Sequence, residues 1–279
     1  MKIILIVFLI IITLFISGCG FENYNTVYNN QITYSDNWIS ENIDELGLQE
    51  WDIAWVANGV FSESDKKKYN AYILSNYSEF NDEYYHKTRL AVETSSSVFF
   101  YDLFDEGYGS YFDDVKTGDF DGDGDMEIAV NSQIGISGGA GQYELQIFNV
   151  TDGGLKPIFS SKNYDTGYFN SFESGYKVII KNRFTEMSAV IDYSAKRLYE
   201  GEYFDESGYP KNHEDISCDS FYSVDSKDYD KDGIDELLVK QYVSLNGHSD
   251  YIGDAKSVLK YNSETGDFTV VKAEFIANS

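Results

Sequence analysis

Residues 119–130 read DFDGDGDMEIAV, and residues 228–239 read DYDKDGIDELLV. The two stretches align without a gap, 109 residues apart. Each follows the pattern D-x-D-x-D-G-x-x-E. Asp119, Asp121, Asp123 and Glu127 fill it in the first copy, and Asp228, Asp230, Asp232 and Glu236 in the second. Alternate spacing lets three carboxylates converge as the chain curls. A glycine after the third Asp permits the sharp turn, because it lacks the Cβ that resists such backbone conformations. Clustered carboxylates repel one another unless a cation lies among them. Six to eight oxygen ligands in a flexible loop suit Ca²⁺; Mg²⁺ prefers rigid octahedral geometry and keeps its waters. Two Ca²⁺ sites are therefore expected. The seventh position, Asp125 or Ile234, would contribute a backbone carbonyl, so its side chain is free to vary. An EF-hand is excluded, since its loop needs a bidentate Glu at position twelve. That position holds Val130 or Val239.

The residues that follow each loop, Ile128-Ala-Val130 and Leu237-Leu-Val239, are short apolar runs of strand character. Outward from the loops, β signals dominate from Leu90 onward. Segments 90–92, 98–103, 143–150, 176–180, 189–193, 237–243 and 268–275 are rich in Val, Ile, Tyr and Phe, with Gly, Asn and Asp clusters between them. Phe148-Asn149 aligns with Tyr261-Asn262, so each copy reads as acidic loop, apolar strand and hairpin. Trp51, Ile53 and Trp55 alternate as a short strand does. One helix is expected over Ser62 to Leu74, with Ser62 as N-cap and Asp65 three residues on.

The first loop, preceded by Val115, Gly118 and Phe120, resembles the calcium loop of the FG-GAP and VCBS repeat family. Gly138-Gly-Ala-Gly141 and the strand after it extend the likeness over about 115–160, and the second copy carries it over about 224–272. The resemblance implies β-propeller blades stiffened by Ca²⁺, of the kind found in integrin α subunits and exported bacterial proteins. The loops here lie about twice as far apart as is usual in that family. The segment between them is read as a blade without a loop. The expected fold is all-β: a propeller-like or partial propeller of short antiparallel sheets, with one short N-terminal helix.

At the amino terminus, Lys2 precedes an apolar run from Ile3 to Ile16 that is shorter than the ~20 residues of a membrane-spanning helix. A charged start, an apolar centre and small residues describe a secretory signal peptide. Ile16-Ser-Gly-Cys19 resembles the lipobox of bacterial lipoproteins, which implies that Cys19 is acylated and becomes the first residue after cleavage. The expected organisation is a signal peptide at 1–18, lipidated Cys19 with a polar tether at 19–35, and a β-rich domain at 36–279. That domain contains the two repeats, at about 99–160 and 210–275. With Cys19 carrying lipid, Cys218 is the last thiol, so no internal disulfide is expected. The expected location is the extracytoplasmic face of the cell membrane, held by the lipid anchor alone.

Composition excludes other classes. The chain has 279 residues, 21 Lys plus Arg and 47 Asp plus Glu, a net charge of −26. Nucleic-acid binding needs cationic side chains to displace phosphate counterions, so no nucleic-acid partner is expected. A content of 16% aromatic residues argues against an acidic disordered chain. Gly135-Ile-Ser-Gly-Gly139 matches the nucleophile elbow G-x-S-x-G, but a strand pattern follows where that motif needs a helix. The doublets Asp113-Asp114, Asp205-Glu206 and Glu214-Asp215 would point to opposite faces of a strand rather than across a cleft. His86, His213 and His248 show no metal-ligand spacing. The 24 Tyr and 19 Phe suit either a core or a sugar-stacking surface. The expected function is a non-catalytic binding or scaffolding module at the cell surface, whose partner is another exported protein or a cell-wall glycan. The alternative is an exported, glycan-directed hydrolase.

Overall fold

The structure is a computed structural model. It describes Ile39, Asp44 and residues 46–278, except 63–66, 77–85, 94–96, 105–108, 111, 138–139, 152, 195–202, 212–215 and 246–249. Cys19, the signal peptide and the tether lie outside the described residues. No helix among the described residues is long and apolar enough to cross a membrane.

The described chain is all-β, built from four small antiparallel sheets that do not close into a barrel. Each sheet is an up-and-down meander, which is the strand order of a propeller blade. Sheet I holds β1 (Asp52–Ser62), β2 (Lys67–Asn76), β3 (Lys87–Glu93) and β4 (Val98–Asp102). Sheet II holds β5 (Phe112–Gly118), β6 (Glu127–Ser137), β7 (Ala140–Thr151) and β8 (Gly154–Ser160). Sheet III has three strands, β9 (Tyr168–Glu173), β10 (Lys177–Asn182) and β11 (Ser188–Asp192). Sheet IV holds β12 (Ser217–Lys227), β13 (Glu236–Leu245), β14 (Asp250–Asn262) and β15 (Asp267–Ala277). Sheet III, which lies between the two loop-bearing sheets in the chain, has no acidic loop of this pattern between its strands.

The helix expected over Ser62 to Leu74 is instead the β1–β2 hairpin. Ser62 ends β1 and pairs with Lys67, the first residue of β2. The reason is two-sided burial. Tyr69, Ala71 and Ile73 enter the core shared with sheet II, while Tyr72 and Leu74 enter a second core with Ile39 and Leu48. Side chains that alternate between two apolar layers satisfy a period of two, whereas a helix would bury a single stripe. Asp65 lies outside the described residues.

Packing does not follow chain order. One face of sheet II (Ile128, Val130, Phe148, Val150) meets sheet I, and the other (Ala129, Leu145, Ile147, Phe159) meets sheet IV. Sheet IV buries Val224, Leu237, Val239 and Leu259 against sheet II, and Val243, Leu245 and Ala255 against sheet III. Aromatic rings fill the joint between sheets II and IV. Phe159 lies edge-on to Phe268 at 5.1 Å between centroids and to Tyr164 at 5.2 Å. Each such pair adds roughly 0.5–1.5 kcal/mol beyond its buried area. Polar ties fix the same joint: Asn131 Nδ2 donates to the Phe221 carbonyl at 2.8 Å, and Tyr143 N–H to Ser220 Oγ at 2.6 Å.

Most of the aromatic residues named so far are therefore core. An exception is the open face of sheet IV, where Tyr222 stacks on Tyr242 at 4.0 Å and Tyr242 meets Tyr251 edge-on at 5.6 Å. Ser137 pairs with Ala140 at the β6–β7 hairpin, so no helix follows the G-x-S-x-G serine.

Candidate metal centre

Each acidic loop joins the first two strands of its sheet, β5 to β6 and β12 to β13. In the first loop the Asp119 carboxylate accepts from Gly122 N–H at 2.8 Å and Gly124 N–H at 3.1 Å. Asp121 accepts from Asp123 N–H, and Asp123 accepts from Asp125 N–H. These bonds wind the chain around its own carboxylates. Gly122 and Gly124 take φ of 79° and 87°, the left-handed region that favours glycine. The second loop winds alike. Asp228 accepts from Lys231, Asp232 and Gly233 N–H, Asp230 from Asp232 N–H, and Asp232 from Ile234 N–H. Lys231 stands where the first copy has Gly122, at φ 65°.

The glutamates close the loops from the first residue of β6 and β13. Glu127 Oε2 accepts from Phe120 N–H at 2.7 Å, and Glu236 Oε2 from Tyr229 N–H at 2.7 Å. Both glutamates are buried, at 0% and 1% exposure. Asp119, Asp121 and Glu127 each bring a carboxylate oxygen within 4.8 Å of the others, and in the second loop Asp228, Asp230, Asp232 and Glu236 all do. Asp123 stands outside the first trio. Asp125, buried, and Ile234 enter the site through backbone N–H bonds to the preceding Asp. The Ile234 side chain instead lies over Gly122 of the other loop, and Asp235 N–H donates to the Asp119 carbonyl at 2.8 Å. The two loops are thus in direct contact.

Their charge balance differs. Glu127 Oε1 and Glu236 Oε1 are both buried without a hydrogen-bond partner, but only the second has a cation beside it. Burial, reinforced by the charge of Asp121, pushes Glu127 up to about 9. Burial, reinforced by Asp123, pushes Asp121 up to about 6, and burial raises Asp119 as well. Two full charges held 4.8 Å apart repel by about 3 kcal/mol at an effective dielectric constant of about 20. In the second loop an ammonium group is already present. Lys260 Nζ lies 2.6 Å from Asp230 Oδ2, 2.6 Å from Asp232 Oδ2 and 2.9 Å from Glu236 Oε1. Hydrogen bonds to Asp230 and Asp232, with the ion pair to Glu236, raise Lys260, and the Lys260 hydrogen bond holds Asp232 below the usual carboxylate range.

Lys260 is the site residue that the repeat alignment misses. That alignment set Phe148-Asn149 against Tyr261-Asn262. The ladders correct it: Ile128 pairs with Phe148 and Leu237 with Leu259. The hairpin-closing pairs Thr151–Gly154 and Asn262–Asp267 give the same frame. Asn149 therefore corresponds to Lys260, each across the ladder from its glutamate. Asn149 Oδ1 is also buried without a hydrogen-bond partner.

The other sequence candidates have ordinary surroundings. His86 is buried and packs its ring against Ser110, with Nε2 3.2 Å from Oγ. His213, His248, Glu214 and Asp215 lie outside the described residues. Asp205 Oδ1 caps a turn by accepting from Ser207 and Tyr209 N–H. Burial pushes the Cys218 thiol up to about 12, which removes it as a nucleophile near neutral pH. A groove of about 930 Å³ runs between sheets I and II, lined by Tyr101, Tyr143, Phe159, Asp102 and Glu144 among others. Arg89 holds Asp102 at 2.6 Å, while Gln146 and Ser160 donate to Glu144.

The class defined by this fold and site is an all-β chain of small meander sheets that presents two adjoining acidic loops. Among known proteins, the domain family described as YybI C-terminal domain matches residues 167–276, which span sheets III and IV. The uncharacterized protein YybI of Bacillus subtilis (strain 168) is 27% identical over 150 residues, 53% of this chain and 56% of that relative. The chain thus spans about half the length of this curated relative. No solved structure matches the chain.

Proposed function

We propose that the protein is an exported, lipid-anchored, non-catalytic binding or scaffolding module whose first acidic loop holds a Ca²⁺ ion. The observation that carries the metal reading is Glu127 Oε1, a buried carboxylate oxygen without a hydrogen-bond partner, beside oxygens of Asp119 and Asp121; its counterpart Glu236 Oε1 also lacks a hydrogen bond but has Lys260 Nζ 2.9 Å away. Once ionised, such a buried oxygen is costly unless a cation meets it. Bound there, Ca²⁺ would be held by Asp119, Asp121 and Glu127, with Asn149 Oδ1 available across the ladder. It would neutralise the loop that joins β5 to β6 and stiffen the contact with the second loop. The FG-GAP-like spacing supports the same assignment. The Ile16-Ser-Gly-Cys19 sequence supports lipidation and display at the outer face of the membrane.

A binding role accords with the aromatic groove better than hydrolysis does. The groove's two carboxylates, Asp102 and Glu144, are each held by neighbouring donors, Arg89 on one and Gln146 and Ser160 on the other. The partner class is another exported protein or a cell-wall glycan.

Calorimetric titration of the full chain tests the metal. Saturable Ca²⁺ uptake is expected, with loss of one equivalent in Asp121→Ala. No uptake at millimolar Ca²⁺ would sink the metal assignment. Metabolic labelling with a radioactive fatty acid tests the anchor, with label expected on the wild type and absent from Cys19→Ser.

A further inference from the structure

We infer that Lys260 is a built-in cation for the second acidic loop, so that the wild-type chain takes up Ca²⁺ at the first loop only. This rests on the Ca²⁺ reading of the first loop proposed above. The two loops share their carboxylate spacing, their winding and their glutamate closure, although the second draws four carboxylates together and the first three. They differ in the residue across the ladder from the glutamate, neutral Asn149 in one and Lys260 in the other. Asn149 Oδ1 and Glu127 Oε1 are without hydrogen-bond partners; Glu236 Oε1 also lacks one, but it has the Lys260 ammonium 2.9 Å away. Lys260 places one ammonium within 2.6–2.9 Å of three carboxylates, among the oxygens that a metal would coordinate. The Lys260 side chain is 20% exposed, and its ammonium bridges the exposed carboxylates of Asp230 and Asp232 to the buried Glu236.

An ammonium and a Ca²⁺ ion cannot share this space. Each needs the same inward oxygens, and the two cations would repel. Uptake of Ca²⁺ at the second loop would have to expel Lys260 and return its carboxylates to an unneutralised state during the exchange. The chain thereby has one loop whose order depends on the Ca²⁺ concentration and, in contact with it through Asp235 and Ile234, one whose order does not. The second loop serves as a metal-independent abutment for the first.

The test is Ca²⁺ stoichiometry of the full chain by calorimetry for the wild type, Lys260→Asn, Asp230→Ala and Asp121→Ala, with thermal melts alongside. One equivalent is expected for the wild type and for Asp230→Ala, none for Asp121→Ala, and two for Lys260→Asn. Lys260→Asn is also expected to melt lower than the wild type in EDTA and to regain most of the difference in excess Ca²⁺. Two equivalents in the wild type, with one lost in Asp230→Ala, would overturn the inference. So would a Lys260→Asn protein that melts cooperatively and still binds one. If Lys260→Asn does not fold, Asp230→Ala decides: unchanged uptake supports the lysine, and a lost equivalent refutes it. Wild type binding none while Lys260→Asn binds one would refute the first-loop metal and leave the lysine assignment standing.

Discussion

At the scale of single residues, the loops show how backbone freedom and charge are divided. Gly122 and Gly233 both adopt left-handed φ, but their surroundings differ. A Cβ on Gly233 would meet nothing within 4 Å, whereas one on Gly122 would meet Ile234 Cδ1 at 2.6 Å. Gly233→Ala should therefore cost about 1–2 kcal/mol, the backbone penalty alone. Gly122→Ala should cost more, and the excess should vanish in an Ile234→Ala background, because it arises from contact between the loops. Urea unfolding of the four variants checks this; an excess that survives removal of Ile234 would contradict it. The positions that carry the chemistry, Glu127 and Glu236, are alike in burial and differ in what faces their second oxygen.

At the scale of elements, β2 is where local pattern and tertiary packing disagree. The segment Lys67–Asn76 begins with polar residues, and the Ser62–Asp65 spacing mimics a helix cap. Its apolar residues, however, face two separate cores. Consecutive truncations distinguish a strand of this kind from a helix. Ile73→Ala and Leu74→Ala should each cost about 2–5 kcal/mol, since both are almost fully buried on opposite faces. Equilibrium denaturation measures both, and a loss confined to one of the neighbours would be inconsistent with a two-sided strand. The polar strands β5 and β12 were likewise hard to see in advance. FDDVKTG and SCDSFYSVDSK carry few apolar residues, and cross-strand pairing with the strongly apolar β6 and β13 holds them in place. The runs at 128–130, 143–150, 237–243 and 268–275 were legible because their own side chains fill the core.

At the scale of the whole molecule, the first loop links stability to both pH and Ca²⁺. Burial raises the folded-state pKa of Glu127 to about 9, well above the ordinary carboxylate value of the unfolded chain. Between those two values the folded state binds more protons than the unfolded one, so metal-free stability falls as pH rises through that window. Above about 9 the dependence from this group ends. Bound Ca²⁺ removes the penalty, because it favours the ionised carboxylate. The melting temperature in EDTA should therefore decline from pH 5 to pH 9, and the increase produced by Ca²⁺ should grow over the same range. Scanning calorimetry with and without the chelator measures both. A Ca²⁺ effect independent of pH would separate the ion from Glu127.

The sequence by itself determined that the chain is built of short strands and that two acidic loops recur in one spacing. Both are local properties: apolar side chains at strand periodicity, and carboxylates at alternate positions around a glycine turn. Its readings at the amino terminus rest on local pattern too, and concern residues outside those described. Only the tertiary structure decided that β2 is a strand, that sheet II packs on sheet IV, and that the two loops touch. It also decided how the second loop is neutralised. Lys260 lies 28 residues beyond Asp232 and comes to its carboxylates through strand register, across an alignment that a two-residue insertion displaces. Local spacing specifies where negative charge gathers. The cation that answers it is specified by which strand the fold lays alongside.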